Sequence, residues 1–219
     1  MVPYFVFFSG AIGVGKSSIM MGFKIMLNKK SYFTVKEYID YQPKIGEALL
    51  KMNKEGNLSD YEFQNYILDC YEAQLTKIRN EEIVLFERHP MEALGVFVKG
   101  MRAKMTDEEK NEIENRILFM LEKFQIPDLR ECYVDRYNTS IFSIKSVIDD
   151  LNIKLNDHYP FSEKEQKYGE ICYLTACVSD MVKRVELRGR VSEKNINGSF
   201  LAMVAQSYED FFKRINIIN

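Results

Sequence analysis

The chain is poor in the residues that bind soft metals or build disulfide frameworks: two histidines and four cysteines in 219 residues. The cysteines, Cys70, Cys132, Cys172 and Cys177, form no C-x-x-C pair. That argues against a structural zinc site and for reduced thiols. Charge of one sign is lacking too. The formal net charge is -2, so no global field draws the protein to nucleic acid. No apolar run reaches the roughly 18 residues of a membrane span. The N-terminus enters an apolar stretch of about seven residues without a basic leader region. These absences predict an intracellular, cytoplasmic protein with neither nucleic acid nor membrane as partner. What is present, 46% hydrophobic and 28% charged residues, suits a packed fold rather than disorder. The length suits one α/β domain over residues 1–219.

The strongest local signal is Gly10-Ala11-Ile12-Gly13-Val14-Gly15-Lys16-Ser17-Ser18, a full G-x-x-x-x-G-K-[ST] match. It follows the β-forming run Val2 to Phe8 and precedes a helical pattern from Ile19 to Leu27. Strand, glycine loop and helix together make a phosphate-binding P-loop. Backbone N–H groups would face the phosphate oxygens, Lys16 would add charge, and the Ser17 hydroxyl suits a Mg²⁺ ligand position.

Periodicity predicts strands near 3–9, 32–37, 82–86 and 170–175, with a final edge strand at 215–218. Helices are expected near 16–28, 44–54, 60–79, from 91, 107–124, 144–151 and 195–213. In the second helix Ile45, Ala48, Leu49 and Met52 share a face. Ser59 with Glu62 reads as a capping box, Thr106 as an N-cap, and Ser179 as the cap of a helix ending in Arg184, Arg188 and Arg190. Residues 130–137 fit a strand or a helix lead-in, and 152–168 read as a surface insertion. Strands separated by helices predict an α/β fold: a central parallel sheet of about five strands with helices on both faces. Ligands then bind at the strand carboxyl ends, which selects the P-loop, Glu37 after strand 2, and Glu87-Arg88 after strand 3. Phosphoryl transfer to a hydroxyl needs a proton acceptor, a metal clamp and cations. Glu37 is the candidate base, and Arg184, Arg188 and Arg190 are candidates for a cationic lid.

In this order the residues resemble the deoxyribonucleoside kinases. The carriers are the P-loop, Glu37, Phe63-Gln64-Asn65-Tyr66-Ile67, Glu87-Arg88 and Arg188-Gly189-Arg190-Val191-Ser192-Glu193. Glu87-Arg88-His89-Pro90 is similar to the Asp-Arg-His-Pro of herpesvirus-type thymidine kinases, and Glu37-Tyr38-Ile39-Asp40-Tyr41 to their Glu-Pro-x-x-Tyr. The resemblance covers 3–100 and 170–212 and is not visible over 125–169, a divergent or inserted segment. It implies a P-loop kinase fold with an Arg-rich lid, ATP as donor and a homodimer. It also implies roles. Glu37 would take the proton of the nucleoside 5′-hydroxyl, and Lys16, Arg88, Arg188 and Arg190 would stabilise the transferring phosphate. Gln64 would bond the base edge and Phe97 stack on it. Glu87 with Ser17 would hold Mg²⁺, and Glu193 would reach the sugar 3′-hydroxyl.

The chain departs from the family at several positions. Asn53 stands where cellular members usually carry a sugar-contacting Tyr, and the Pro and Trp after the catalytic Glu are missing. The lid keeps only the second of two Glu residues. Ala93 replaces the Asp frequent in cytidine- and purine-preferring members, which favours thymidine or a broad pyrimidine range. Two alternatives stay open. Asp135-Arg136-Tyr137-Asn138-Thr139-Ser140 is similar to a thymidylate-kinase signature, which would make a monophosphate the acceptor. A nucleotide-binding module without small-substrate turnover is the other; the chain lacks the Asn-Lys-x-Asp of a GTPase.

Overall fold

A computed structural model describes residues 3–27, 30–101, 103–158, 169–190 and 193–215. Five parallel strands form one sheet in the order β2-β3-β1-β5-β4. They are β1 (Tyr4–Gly10), β2 (Tyr32–Val35), β3 (Ile83–Glu87), β4 (Tyr133–Asn138) and β5 (Gly169–Thr175). β1 and β3 are buried along their whole length. Central parallel strands are covered on both faces, so they read as continuous apolar runs rather than alternations.

The helices are α1 (Lys16–Met26), α2 (Tyr38–Tyr41), α3 (Pro43–Lys54), α4 (Asp60–Leu75), α5 (Pro90–Glu92), α6 (Asp107–Lys123), α7 (Ile144–His158), α8 (Val178–Arg188) and α9 (Gly198–Arg214). Both acidic capping boxes form. Glu62 N donates to Ser59 Oγ at 3.1 Å while Ser59 N donates to Glu62 Oε2 at 3.0 Å. Thr106 and Glu109 repeat the exchange at 2.8 and 3.2 Å.

The structure settles one open sequence expectation and corrects several others. The ambiguous segment 130–137 supplies β4, the edge strand beside β5. Of the edge strand expected at 215–218, Ile215 lies in the turn closing α9 and the rest falls outside the described residues. Residues 152–158 continue α7 as helix rather than insertion, and 159–168 fall outside the described residues. Cys177, not Ser179, caps α8, and Asn197 caps α9 by accepting from Phe200 N at 2.9 Å. α4 stops at Leu75. The expected helix from 91 is a short α5 continued by a π-helix, Ala93–Gly100. The apolar face of α3 is not core: Ile45, Ala48 and Met52 are exposed, and only Gly46 is buried. α3 meets α2 at Gly46, where a Cβ would sit 3.1 Å from the Ile39 Cα.

Candidate active site

The carboxyl ends of β1, β2 and β3 converge, and the site forms there. The P-loop joins β1 to α1 with Gly10, Gly13 and Gly15 all at positive φ. At Gly10 a Cβ would also come within 2.3 Å of the Leu174 carbonyl, so glycine is required twice over. Lys16 is buried and folds back on the loop, donating to the carbonyls of Gly10 at 3.2 Å and Ala11 at 3.1 Å. Burial, reinforced by the Arg88 guanidinium, pushes its pKa down to about 7.

Ser17 donates to Glu87 Oε1 at 2.8 Å. Carboxylate oxygens of Glu37, Asp40 and Glu87 lie within 4.8 Å of one another. With the Ser17 hydroxyl they make an all-oxygen donor set, which suits a hard divalent cation such as Mg²⁺ rather than a soft one. Ser17 and Glu87 are the two expected metal residues, and they are in direct contact. Asp40 was not anticipated, although its place one helical turn after Glu37 is a readable signal.

Glu37 lies two residues beyond β2 and is the N-cap of α2. Its carboxylate pairs with Arg88 Nε. Arg88 sits just past β3 with φ 70, a left-handed conformation strained for a residue with a side chain. Its Nη1 donates to the Gly10 carbonyl at 2.7 Å and to the Tyr208 hydroxyl. Glu92, fully buried, accepts from Tyr208 at 2.6 Å and from Ser9. His89, the residue after Arg88, is also buried. Its Nδ1 accepts from Met91 N at 3.1 Å and its Nε2 faces the Pro127 carbonyl at 3.0 Å. Burial lowers its pKa to about 4, so it is a neutral structural imidazole. Neither Glu92 nor Tyr208 was picked out from sequence, and Tyr208, on a distant helix, carries no local signal.

Beyond this pair opens a cavity of about 760 Å³. Gln64, Phe97, Tyr38, Phe63, Asn53 and Ala93 all contribute to its wall. Gln64 is buried and its Oε1 has no hydrogen-bond partner among the described residues. An orphaned buried amide oxygen is costly unless a ligand satisfies it. Phe97, on the π-helix, is half-buried, with the Arg88 guanidinium 5.1 Å from its ring centre. Asn53 donates to the Leu58 carbonyl at 3.1 Å and to Asp60 at 2.9 Å.

At the cavity mouth Arg188 Nε donates to Glu193 at 2.9 Å, and Arg190 pairs with Asp40. Arg188, Arg190 and Glu193, the residues expected to form a lid, all line the cavity; Val191 and Ser192 fall outside the described residues. Arg184 is corrected. It is pinned to the P-loop carbonyls of Gly13 and Val14, each at 3.2 Å, and to Thr139 Oγ1 at 2.8 Å. It braces the loop, and unlike Arg188 and Arg190 it does not line the cavity. The suspected thymidylate-kinase signature also resolves into structure: on β4, Asp135 pairs with Lys154 and Arg136 with Glu209.

The comparisons with known proteins fit this geometry. A search of curated sequences gives no match. Among solved structures 182 chains match. One is deoxyadenosine kinase from M. mycoides with bound dATP, with a TM-score of 0.54 and 19% identity over 96% of this chain and 84% of that one. At that identity the likeness establishes the fold: a P-loop kinase α/β sheet. The family model of deoxynucleoside kinase matches residues 6–136, more than half of the chain. The chain therefore belongs to the deoxynucleoside kinase family of enzymes.

Proposed function

We propose that this protein is one kinase domain that transfers the γ-phosphoryl group of ATP to the 5′-hydroxyl of a deoxynucleoside. Thymidine or a broad pyrimidine range is the preferred acceptor. The observation that carries the reading is the Glu37–Arg88 pair. It stands between the P-loop and a cavity whose wall holds the unsatisfied amide oxygen of Gln64. Triphosphate on one side and a base-reading amide on the other leave the carboxylate where a sugar hydroxyl must pass.

In this reading the P-loop backbone and Lys16 hold the β- and γ-phosphates. Glu37 orients the 5′-hydroxyl and takes its proton as the O–P bond forms. Arg88, Arg188 and Arg190 face the charge on the transferring group; the latter two would leave Glu193 and Asp40 as the lid closes. Mg²⁺, held by Ser17 and Glu87, would neutralise phosphate charge. Gln64 has adjacent donor and acceptor atoms, the complement of thymine N3–H and O4 or, with the amide turned over, of cytosine N3 and N4–H. Phe97 supplies an aromatic face for the base. Ala93 adds no carboxylate to the cavity wall, which supports the pyrimidine preference. Glu193 would release its arginines to reach the 3′-hydroxyl. The protein would act as a homodimer.

The test is transfer of labelled γ-phosphate from ATP to a panel of the four deoxynucleosides and their monophosphates. Thymidine and deoxycytidine should be labelled first. Labelling of purine deoxynucleosides alone would overturn the pyrimidine preference. Labelling of monophosphates alone would overturn the acceptor class.

A further inference from the structure

Arg88 is held more tightly than an ion pair with Glu37 requires. A guanidinium has five N–H donors. The single proton on Nε goes to Glu37, and the two on Nη1 go to the Gly10 carbonyl and the Tyr208 hydroxyl. Both protons of Nη2 are left without a protein partner among the described residues, at the wall of the cavity. Nε and Nη2 share one edge of the fork, so one unused Nη2 proton points to the same side as the Glu37 carboxylate and the other lies along the Nη1–Nη2 end.

Behind Arg88 lies a directional relay. Tyr208 accepts from Arg88 and donates to Glu92 Oε2 at 2.6 Å. Glu92 Oε1 is held by the Ser9 hydroxyl and by His89 N at 3.0 Å. Glu92, Ser9 and Tyr208 are all fully buried. Burial, with Glu92 beside it, drives the Tyr208 pKa well above that of a free phenol, so its hydroxyl stays a donor. A buried carboxylate is expensive unless several donors hold it. Here four elements, β1, α5, α9 and the turn after β3, converge to keep one.

Resting on the kinase reading above, we infer that Glu92 and Tyr208 are positioning residues: they hold Nη1 of Arg88 back so that Nη2 stays free for the transferring phosphate. Without them the guanidinium turns its Nε–Nη2 edge fully onto Glu37 as a bidentate pair. That turn would take the phosphate donor and mask the base in one movement. The strained backbone of Arg88 aims the side chain into this clamp.

The test is a double-mutant cycle on the full chain, with ADP release followed in the presence of deoxynucleoside. Tyr208→Phe keeps the ring packing and removes only the hydroxyl. It should lower kcat about tenfold, with KM for ATP and nucleoside within about twofold of wild type. In an Arg88→Lys background the same change should cost less than about twofold, because the arginine it positions is gone. Glu92→Gln should show the same split between kcat and KM. Equal losses in both backgrounds, an effect on KM instead of kcat, or an unchanged kcat would overturn the inference. An active wild type with an unaffected Tyr208→Phe variant removes the positioning role alone. A wild type with no nucleoside-dependent ADP release removes the kinase reading and this inference with it.

Discussion

Ser17 at the start of α1 donates to Glu87 at the end of β3 across 2.8 Å, joining the phosphate loop to the strand that carries Arg88. A hydroxyl and a carboxylate in that contact form a ready seat for a hard cation. Glu87→Gln keeps the hydrogen bond and removes one of the three carboxylate charges of the Glu37, Asp40 and Glu87 cluster. It should raise the Mg²⁺ concentration needed for half-maximal activity about tenfold, with nucleoside KM unchanged, as read from metal titrations of the initial rate.

Glu37→Gln removes the proposed proton acceptor while preserving size. The expected loss is about 10²-fold or more in kcat, with ATP binding retained by calorimetry. A kcat near wild type would remove Glu37 from the mechanism. Because Glu37 also anchors Arg88 Nε, the loss should exceed that of an isolated general base.

Lys16 should make ATP binding depend on pH. Burial holds its pKa at about 7 in the free protein, and phosphate anions beside it raise that value. Above pH 7 the free protein carries a largely neutral Lys16, so binding ATP must take up a proton. Affinity should fall as pH rises from 7 to 9, by up to about tenfold per unit once the free lysine is neutral. Calorimetry in two buffers of different ionisation enthalpy measures the uptake directly. No uptake at pH 8 would place the Lys16 charge elsewhere.

Away from the site, Glu170 on β5 is buried beside Asp135. Burial first, and then the hydrogen bond and charge of Asp135, raise its pKa from 4.5 to about 8. The folded protein thus keeps a proton that the unfolded chain releases above pH 4.5. Stability from this group is complete below pH 4.5 and is lost progressively as pH rises to about 8. Glu170→Gln mimics the protonated carboxyl. It should raise Tm relative to wild type at pH 8 and leave it unchanged at pH 4, in thermal melts across that range.

What sequence could show was what is local. The P-loop is nine consecutive residues whose backbone demands are written in its glycines. The Ser59 box is a four-residue pattern, and Thr106 reads as an N-cap before an acidic first turn. Glu37 and Glu87-Arg88 were legible because parallel strands deliver their ends to one edge, whereas Gln64 and Phe97 came from the resemblance; Glu37, Gln64, Arg88 and Phe97 line one cavity. Contacts that depend on the third dimension were not readable. Tyr208 meets Glu92 through the docking of α9, where the ring of Phe211 takes the space that a side chain on Gly95 would fill. β4 is an edge strand with mixed burial and so lacks the apolar run that betrayed β1 and β3. α3 has a helical apolar stripe, but it packs through Gly46, and the stripe faces outward.

The central place of β1 has a consequence for how the protein is made. Tyr4–Gly10 pairs with Ile83–Glu87 on one side and Gly169–Thr175 on the other. A ribosome therefore releases this fully buried, aromatic-rich strand of the sheet first and its two neighbours much later. Until then an unpaired aromatic strand is open to the wrong partners. Synthesis of this enzyme should lean on chaperones that shield nascent chains, and slowing translation between the codons for residues 10 and 169 should lower its soluble yield.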